Sequence, residues 1–525
     1  MIHMEQEKKY KFKGKNILVV GLARSGTGAA NLLAELGARV SITDKKSPGS
    51  LADQIKRLLP SVKFVEEDKT EGIIDSLDMI VISPGVPLYI PLLVKAHIKG
   101  IPVIGELELA YQAVRSYESR GVREKENTGS VLPISGHTSP VPFIGITGTN
   151  GKSTTTTLVD LMLKEAGYTT LLAGNIGNAL TEEILRRIRS QEPGAKRGEG
   201  AFAPATLDHI VLEISSFQLE TIEEFRPHIA AILNITPDHL DRYEGMKDYA
   251  EAKARILENQ TAEDYLILNA DDPEIKNIES ENVQGKSEKP KILYFSRMNE
   301  VEGIYCKDGV VCCTFRNPEF SLGVSSHSHE SIELIRVDEI KIKGVHNLEN
   351  AMAASLMALV SGCGPDEVRH VLKKFPGLEH RLEFVDDING VRFINDSKGT
   401  NVGAVAKSLA DFENIILIMG GLDKGSDFSV LGDLMKSKVK LLILIGAAAD
   451  VIAGAIGSVT ETRKVSGLGE AVSLSMSRAS AGDIVLLSPG CASFDMFKDF
   501  EDRGRKFKEA VKALKMQLSE IQHEY

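Results

Sequence analysis

Short, almost wholly apolar runs punctuate the chain, each followed by a polar or glycine-containing turn and then by helical spacing. Strands of a parallel sheet covered on both faces read this way. The first is Asn16-Ile-Leu-Val-Val-Gly21, which runs into Leu22-Ala-Arg-Ser-Gly26 and a helical stretch over 29–36; Arg39-Val-Ser-Ile-Thr-Asp44 follows and ends in an acid. Asp78-Met-Ile-Val-Ile-Ser-Pro-Gly-Val-Pro87 adds a strand that stops in a tight turn. Further strands are predicted at 143–146, 210–213, 229–234 and 265–269, helices at 347–360 and 365–374, and a last set of strands at 391–394, 415–419, 441–445 and 484–487. Alternation of this kind predicts an α/β protein with mainly parallel sheets. The polar stretches 117–142, 187–204 and 282–290 predict exposed loops or surface insertions. The expected division is a Rossmann-like domain over 1–106, a central domain over 107–377 and a second Rossmann-like α/β domain over 378–525.

Composition narrows the class. A chain of 525 residues is too long for one core, and 42% hydrophobic with 26% charged residues fits a globular protein. The net charge of −11 argues against broad binding of nucleic acid or acidic membranes, which leaves small molecules as the expected partners. Five cysteines, an odd number without metal-ligand spacing, suggest neither a zinc site nor a disulfide framework. The first residues are charged and lack an apolar signal core, and no run approaches the roughly 18 apolar residues of a membrane span. A cytoplasmic monomer is expected.

Candidate chemistry begins at Phe143-Ile-Gly-Ile-Thr-Gly-Thr-Asn-Gly-Lys-Ser-Thr-Thr-Thr157. A buried strand here meets a glycine turn and a helix start. Gly148 and Gly151 let backbone N–H groups converge on an anion, Lys152 can neutralise outer phosphates, and the Ser153 hydroxyl can ligate Mg²⁺. The match to the general P-loop is imperfect, because Gly145 falls one residue early; an ordinary glycine turn capping a Thr-rich helix is the plainer alternative. In the first domain Asp44 can hydrogen-bond a sugar or base, with Ser83 and Gly85 at the same sheet edge, although a turn without ligand contacts reads equally well. Ala23 replaces the second glycine of the dinucleotide fingerprint, so NAD(P) is not supported. Glu213, at a strand end, is where an Mg²⁺–ATP enzyme needs an anionic group. By residue type alone, His239 reads as a hydrogen-bonded loop histidine and Lys253 as a solvated lysine.

Longer motifs change those readings. Thr147-Gly-Thr-Asn-Gly-Lys-Ser153, Glu213-Ile-Ser-Ser-Phe-Gln-Leu219, Asn234-Ile-Thr-Pro-Asp-His-Leu-Asp-Arg-Tyr243 and Ala252-Lys-Ala-Arg255 resemble the Mur ligases of peptidoglycan synthesis. So do Gly344-Val-His-Asn-Leu-Glu-Asn350, His380-Arg381, Asn395-Asp-Ser-Lys-Gly-Thr-Asn401, Gly420-Gly-Leu-Asp-Lys424 and Leu487-Ser-Pro-Gly-Cys-Ala-Ser-Phe-Asp-Met-Phe497. The resemblance implies three domains, the central one P-loop ATPase-like. It also implies ATP-dependent amide formation between D-glutamate and UDP-N-acetylmuramoyl-L-alanine through an acyl phosphate. Ser25, Asp44, Ser83 and Gly85 would hold the UDP moiety, and Asn175, Ser215 and Gln218 the part nearer the reaction. ATP would lie on Gly148, Thr149, Asn150, Gly151, Lys152, Ser153 and Thr154, with Asn350 near the adenine and Arg381 and Asp396 reaching phosphate and ribose. Of two Mg²⁺ ions, one would sit at Ser153 and Glu213 and a second near His239, with Lys253 carbamylated to supply an anionic oxygen. The catalytic set implied is Lys152, Glu213, His239, Lys253 and Arg381. D-Glutamate would meet Lys398, Thr400, Lys424, Ser493, Phe494 and Phe500. Competing readings are another Mur ligase, a folylpolyglutamate synthetase-like ligase with a different amino acid, or a non-catalytic nucleotide-binding regulator.

Overall fold

Three sheets carry the chain in a computed structural model that describes residues 11–127, 140–190, 207–238, 242–283, 285, 287–315, 331–423 and 425–523. The first has five parallel strands, ordered Lys63–Phe64, Arg39–Thr43, Asn16–Val20, Met79–Ile82 and Val103–Gly105. The second has nine: Ile332–Arg336, Val310–Thr314, Gly303–Lys307, Lys291–Ser296, Tyr265–Asn269, Ile229–Ile232, Phe143–Thr147, His209–Glu213 and Thr170–Gly174. Only Val310–Thr314 runs antiparallel to its neighbours there. The third orders Glu383–Ile388, Val391–Asn395, Ile484–Leu487, Ile415–Gly420, Val439–Ile445 and Glu461–Lys464, antiparallel only at its first pair.

The reason for these strands is burial on both faces. Every residue of Phe143–Thr147 and of His209–Glu213 is buried, and such strands have no polar side to alternate with. Strand order then places the loops that matter. The chain reverses its direction of growth beside Asn16–Val20 in the first sheet and beside Phe143–Thr147 in the second, and a crevice opens at the carboxyl ends of strands at such a reversal.

The chain forms two compact units, residues 1–375 and 376–525. Within the first unit two buried carboxylates tie the first two sheets. Glu106 accepts the Thr181 N–H at 2.8 Å and its hydroxyl at 2.7 Å; Glu108 accepts the backbone N–H groups of Glu223, Glu224 and Phe225 at 2.9, 3.0 and 2.9 Å.

Two polar stretches expected as loops begin as helix. Helix Glu106–Asn127 runs on past residue 117, because Glu, Arg and Lys are good helix formers and polarity alone does not break a helix. Residues 187–190 complete helix Leu180–Ser190, whose Ile184 and Ile188 keep one face buried. Residues 128–139 and 191–206 lie outside the described residues. The hairpin of Gly303–Lys307 and Val310–Thr314, which the apolar runs did not reveal, closes on an Asp308-Gly309 turn where both residues take positive φ (49° and 76°).

Candidate active site

The phosphate loop leaves the strand Phe143–Thr147 at the crevice of the second sheet. Gly148 (φ 148°) and Gly151 (φ 83°) bend it into helix Lys152–Glu165, whose first turn contains Ser153 and Thr154, both buried. A Cβ on Gly151 would lie 2.0 Å from Asn350 Oδ1, so glycine is required where helix Val345–Val360 presses its asparagine onto the loop. Lys152 folds back and donates to the carbonyls of Gly148 (2.8 Å) and Thr149 (2.9 Å). Thr149 and Asn150 are bonded to the strand end at Asn234 and Thr236.

Lys253 is the group whose environment departs furthest from expectation. It is 1% exposed, on helix Met246–Ala254, and its ammonium donates to the Gly148 carbonyl at 3.0 Å while lying 4.4 Å from the Tyr249 ring centre. Burial first, then the charge of Lys152, pushes its pKa well below the ordinary lysine value, with Asp238 opposing. Tyr249, four residues earlier on the same helix face, donates to Thr149 Oγ1 at 3.3 Å and is itself pushed up to about 12 by burial. The lysine of the bland reading, solvated and charged, is absent: this amine is buried and inclined to be neutral.

Across the same edge stands Glu213, in register with Ile146. Its Oε1 accepts Asn175 Nδ2 at 2.9 Å, whereas Oε2 is buried without a hydrogen-bond partner, and so is Thr147 Oγ1. Orphaned oxygens at this depth are costly, and a hard cation would satisfy them. Oxygen donors with a convertible amine fit Mg²⁺ rather than a soft metal. Among the described residues no three His, Cys, Asp or Glu side chains converge, so Mg²⁺ here would need ligands from hydroxyl, phosphate or a modified lysine. His239 lies outside the described residues.

At the crevice of the first sheet a shallow cleft is lined by Ser83, Gly85, Glu106, Phe217, Gln218 and Arg242, among others. Ser83 Oγ donates to the Gly21 carbonyl at 2.9 Å, and burial raises the pKa of Glu106. Ser215 and Gln218 cap the short helix Ser216–Leu219 reciprocally, with Gln218 Oε1 accepting Ser215 N–H at 3.0 Å. Asp44 accepts the Leu22 and Lys46 N–H groups at 2.7 and 3.0 Å, and half-buried Ser25 sits in the first turn of helix Arg24–Glu35. Two residues that sequence reasoning left without a role also line the cleft. The Arg242 guanidinium lies 4.2 Å from the Phe217 ring centre and pairs with Glu220 at 2.5 Å.

In the second unit, loops at the carboxyl ends of the strands gather around a buried arginine. Arg503, on helix Phe500–His523, is 0% exposed. It donates to Ser397 Oγ (3.0 Å) and to the carbonyls of Ser397 (2.9 Å), Cys491 (3.1 Å) and Gly420 (3.4 Å). One fork thus pins three loops, and nothing in the spacing around Arg503 announced it. Lys398 Nζ lies 5.7 Å from the Phe500 ring centre, and the Thr400 N–H donates to the Lys398 carbonyl at 2.8 Å. Ser493 is buried while Phe494 is 67% exposed. Arg381 stands between His380 and Leu382, both at positive φ (63° and 45°), in a sharp turn. Asp396 is buried rather than displayed. Its carboxylate accepts the Ser408 and Ser488 hydroxyls at 2.7 and 2.8 Å, and burial raises its pKa to about 6. Lys424 lies outside the described residues.

Family models match in the same order as the sheets. The Mur ligase MurD-like N-terminal domain covers residues 15–105, the Mur ligase middle domain 146–358, and the Mur ligase glutamate ligase domain 380–491. A UDP-N-acetylmuramoylalanine--D-glutamate ligase of Geotalea daltonii is 40% identical over 507 residues, 96% of this chain and 98% of its own. The chain belongs to the Mur ligase family. A ligase of the same name from Geobacter metallireducens is 41% identical over 503 residues, 95% of this chain and 98% of its own. In shape this Mur ligase is similar to MurF from Acinetobacter baumannii, with a TM-score of 0.55 at 16% identity over 96% of this chain and 98% of that one, which speaks to fold alone.

Proposed function

We propose that this chain is an ATP-dependent ligase that adds D-glutamate to UDP-N-acetylmuramoyl-L-alanine in peptidoglycan synthesis. The observation that carries the chemistry is the buried amine of Lys253 bonded to the phosphate loop, with the unpartnered oxygen of Glu213 on the strand that pairs with the loop's own. Identity of about 40% along nearly the whole chain to ligases of that name supports the choice of substrates.

The residues divide the work as follows. The loop from Gly148 to Thr154 receives the triphosphate, with Thr149 and Asn150 shaping it, and Asn350 faces the adenine. Lys152 leaves its two loop carbonyls to neutralise the phosphoryl group that the substrate carboxylate takes. Mg²⁺, when bound, offsets phosphate charge, and Ser153, Glu213, His239 and Lys253 are the residues that would hold two ions. Lys253 does so as a carbamate: its neutral amine adds to CO₂, forming an N–C bond and releasing one proton to water. A buried, depressed-pKa lysine is primed for this, since an ammonium has no lone pair to give. The carboxylate takes the γ-phosphoryl group as ADP leaves; the neutral D-glutamate amine then attacks the acyl phosphate, a tetrahedral centre forms, and phosphate leaves as the amide closes and the nitrogen gives up one proton to water.

The UDP substrate lies along Ser25, Asp44, Ser83, Gly85, Asn175, Ser215 and Gln218. Lys398, Thr400, Lys424, Ser493, Phe494 and Phe500 take D-glutamate, and Arg381 and Asp396 serve the phosphate and ribose. Domain borders at 106/107 and 377/378, a monomeric state and a cytoplasmic site of action belong to the same proposal; among the described residues no helix is long and apolar enough to cross a membrane. Phosphate release measured with UDP-N-acetylmuramoyl-L-alanine against a panel of amino acids tests it. Turnover is expected with D-glutamate alone, and turnover with another amino acid instead would overturn it.

A further inference from the structure

Asn234 lies two residues beyond the strand Ile229–Ile232 and belongs to none of the sets just named. Its side chain nonetheless reads both polar groups of one loop residue. Oδ1 accepts the Asn150 N–H at 2.8 Å, and Nδ2 donates to the Asn150 carbonyl at 3.1 Å. The Asn234 carbonyl accepts the Thr149 N–H at 2.9 Å. Thr236 repeats the contact: its N–H donates to Thr149 Oγ1 at 3.0 Å, and its carbonyl accepts that hydroxyl at 3.2 Å. The loop has little slack to shift, since a Cβ on Gly148 would come within 3.0 Å of Leu233 Cβ.

This arrangement decides which N–H groups face an anion. Those of Thr149 and Asn150 are engaged inside the protein, so the end of the loop that meets an anion is the one from Gly151 into the start of helix Lys152–Glu165. Without the Asn234 side chain, residue 150 is free to rotate its peptide groups toward the phosphates and compete with that end. We propose that Asn234 is a positioning residue, which holds the phosphate loop in the one shape that accepts a magnesium nucleotide. The inference rests on the ATP-dependent reading of the loop.

Asn234→Ala and Asn234→Asp test it, the second keeping the acceptor for Asn150 N–H but turning a carboxylate oxygen toward the Asn150 carbonyl. Titration calorimetry with MgADP should show binding weakened about tenfold or more in both variants, and the KM for ATP should rise in step. The KM for D-glutamate should stay within about twofold of the parent, and the melting temperature within a few degrees. MgADP binding by Asn234→Ala at parental strength, recovery of that binding in Asn234→Asp, or an equal rise in the D-glutamate KM would each overturn the positioning role. Failure of the parent chain to bind MgADP would overturn the nucleotide reading along with it.

Discussion

Two buried cations, Arg503 and Lys253, stand among the described residues, and they have been treated in opposite ways. Arg503 has its fork filled by a hydroxyl and three carbonyls, and burial lowers its pKa only to about 10, so it stays charged and serves as a clamp. The Lys253 ammonium has one carbonyl and an aromatic face for company, and burial drives it toward the neutral amine. A buried cation supplied with acceptors is structural; one left short of them is reactive.

The contrast can be broken most sharply at Lys253. Lys253→Met keeps an unbranched stem and removes the amine; ligation should fall by about 10³-fold or more, roughly 4 kcal/mol, while the melting temperature holds or rises. The unfolded lysine binds a proton that the folded one resists, so the parent should gain stability relative to Lys253→Met as pH climbs toward the ordinary lysine range. Thermal melts at several pH values, beside a phosphate-release assay, check both parts; unchanged turnover would remove the carbamate.

Arg503→Met makes the opposite experiment. Three carbonyls and a hydroxyl lose their donor, and the second unit should lose about 3 kcal/mol in chemical denaturation, with activity falling because the unit melts. A stable, folded Arg503→Met would show the clamp to be dispensable.

Asp396 offers a smaller and graded effect. Its folded pKa of about 6 lies above the ordinary aspartate value, so the folded state holds a proton that the unfolded state has lost. The associated stability is complete below the unfolded value and disappears as pH rises through about 6. Relative to Asp396→Asn, the parent should lose up to about 3 kcal/mol between pH ~4 and ~7, read from denaturant midpoints. A pH-independent difference would mean that the carboxylate is not desolvated. Smallest should be Phe494→Ala: the ring is 67% exposed, so stability should move by about 0.5 kcal/mol or less, and any larger change must appear in the KM for D-glutamate.

Much of the fold was legible because buried parallel strands are apolar throughout. The run at 484–487 and the helix at 365–374 match the structure residue for residue. The edge strand Glu461–Lys464 was not legible, since three of its four residues are charged and its partner supplies the register. Helix Glu106–Asn127 was hidden by its polarity. In the site, the glycines and Lys152 announced a phosphate loop, yet the same sequence allowed a solvated Lys253.

The chain by itself determined where strands form, where the backbone must turn at Gly148 and Gly151, and which charges lie near a nucleotide, because those depend on residues adjacent in sequence. Only the tertiary structure decided that Lys253 would be sealed against Tyr249 and the Gly148 carbonyl, that Glu213 would keep one oxygen unpartnered, and that Asn234 would grip residue 150. Each of these is a balance of desolvation against available partners, and the partners come from segments far apart in the chain.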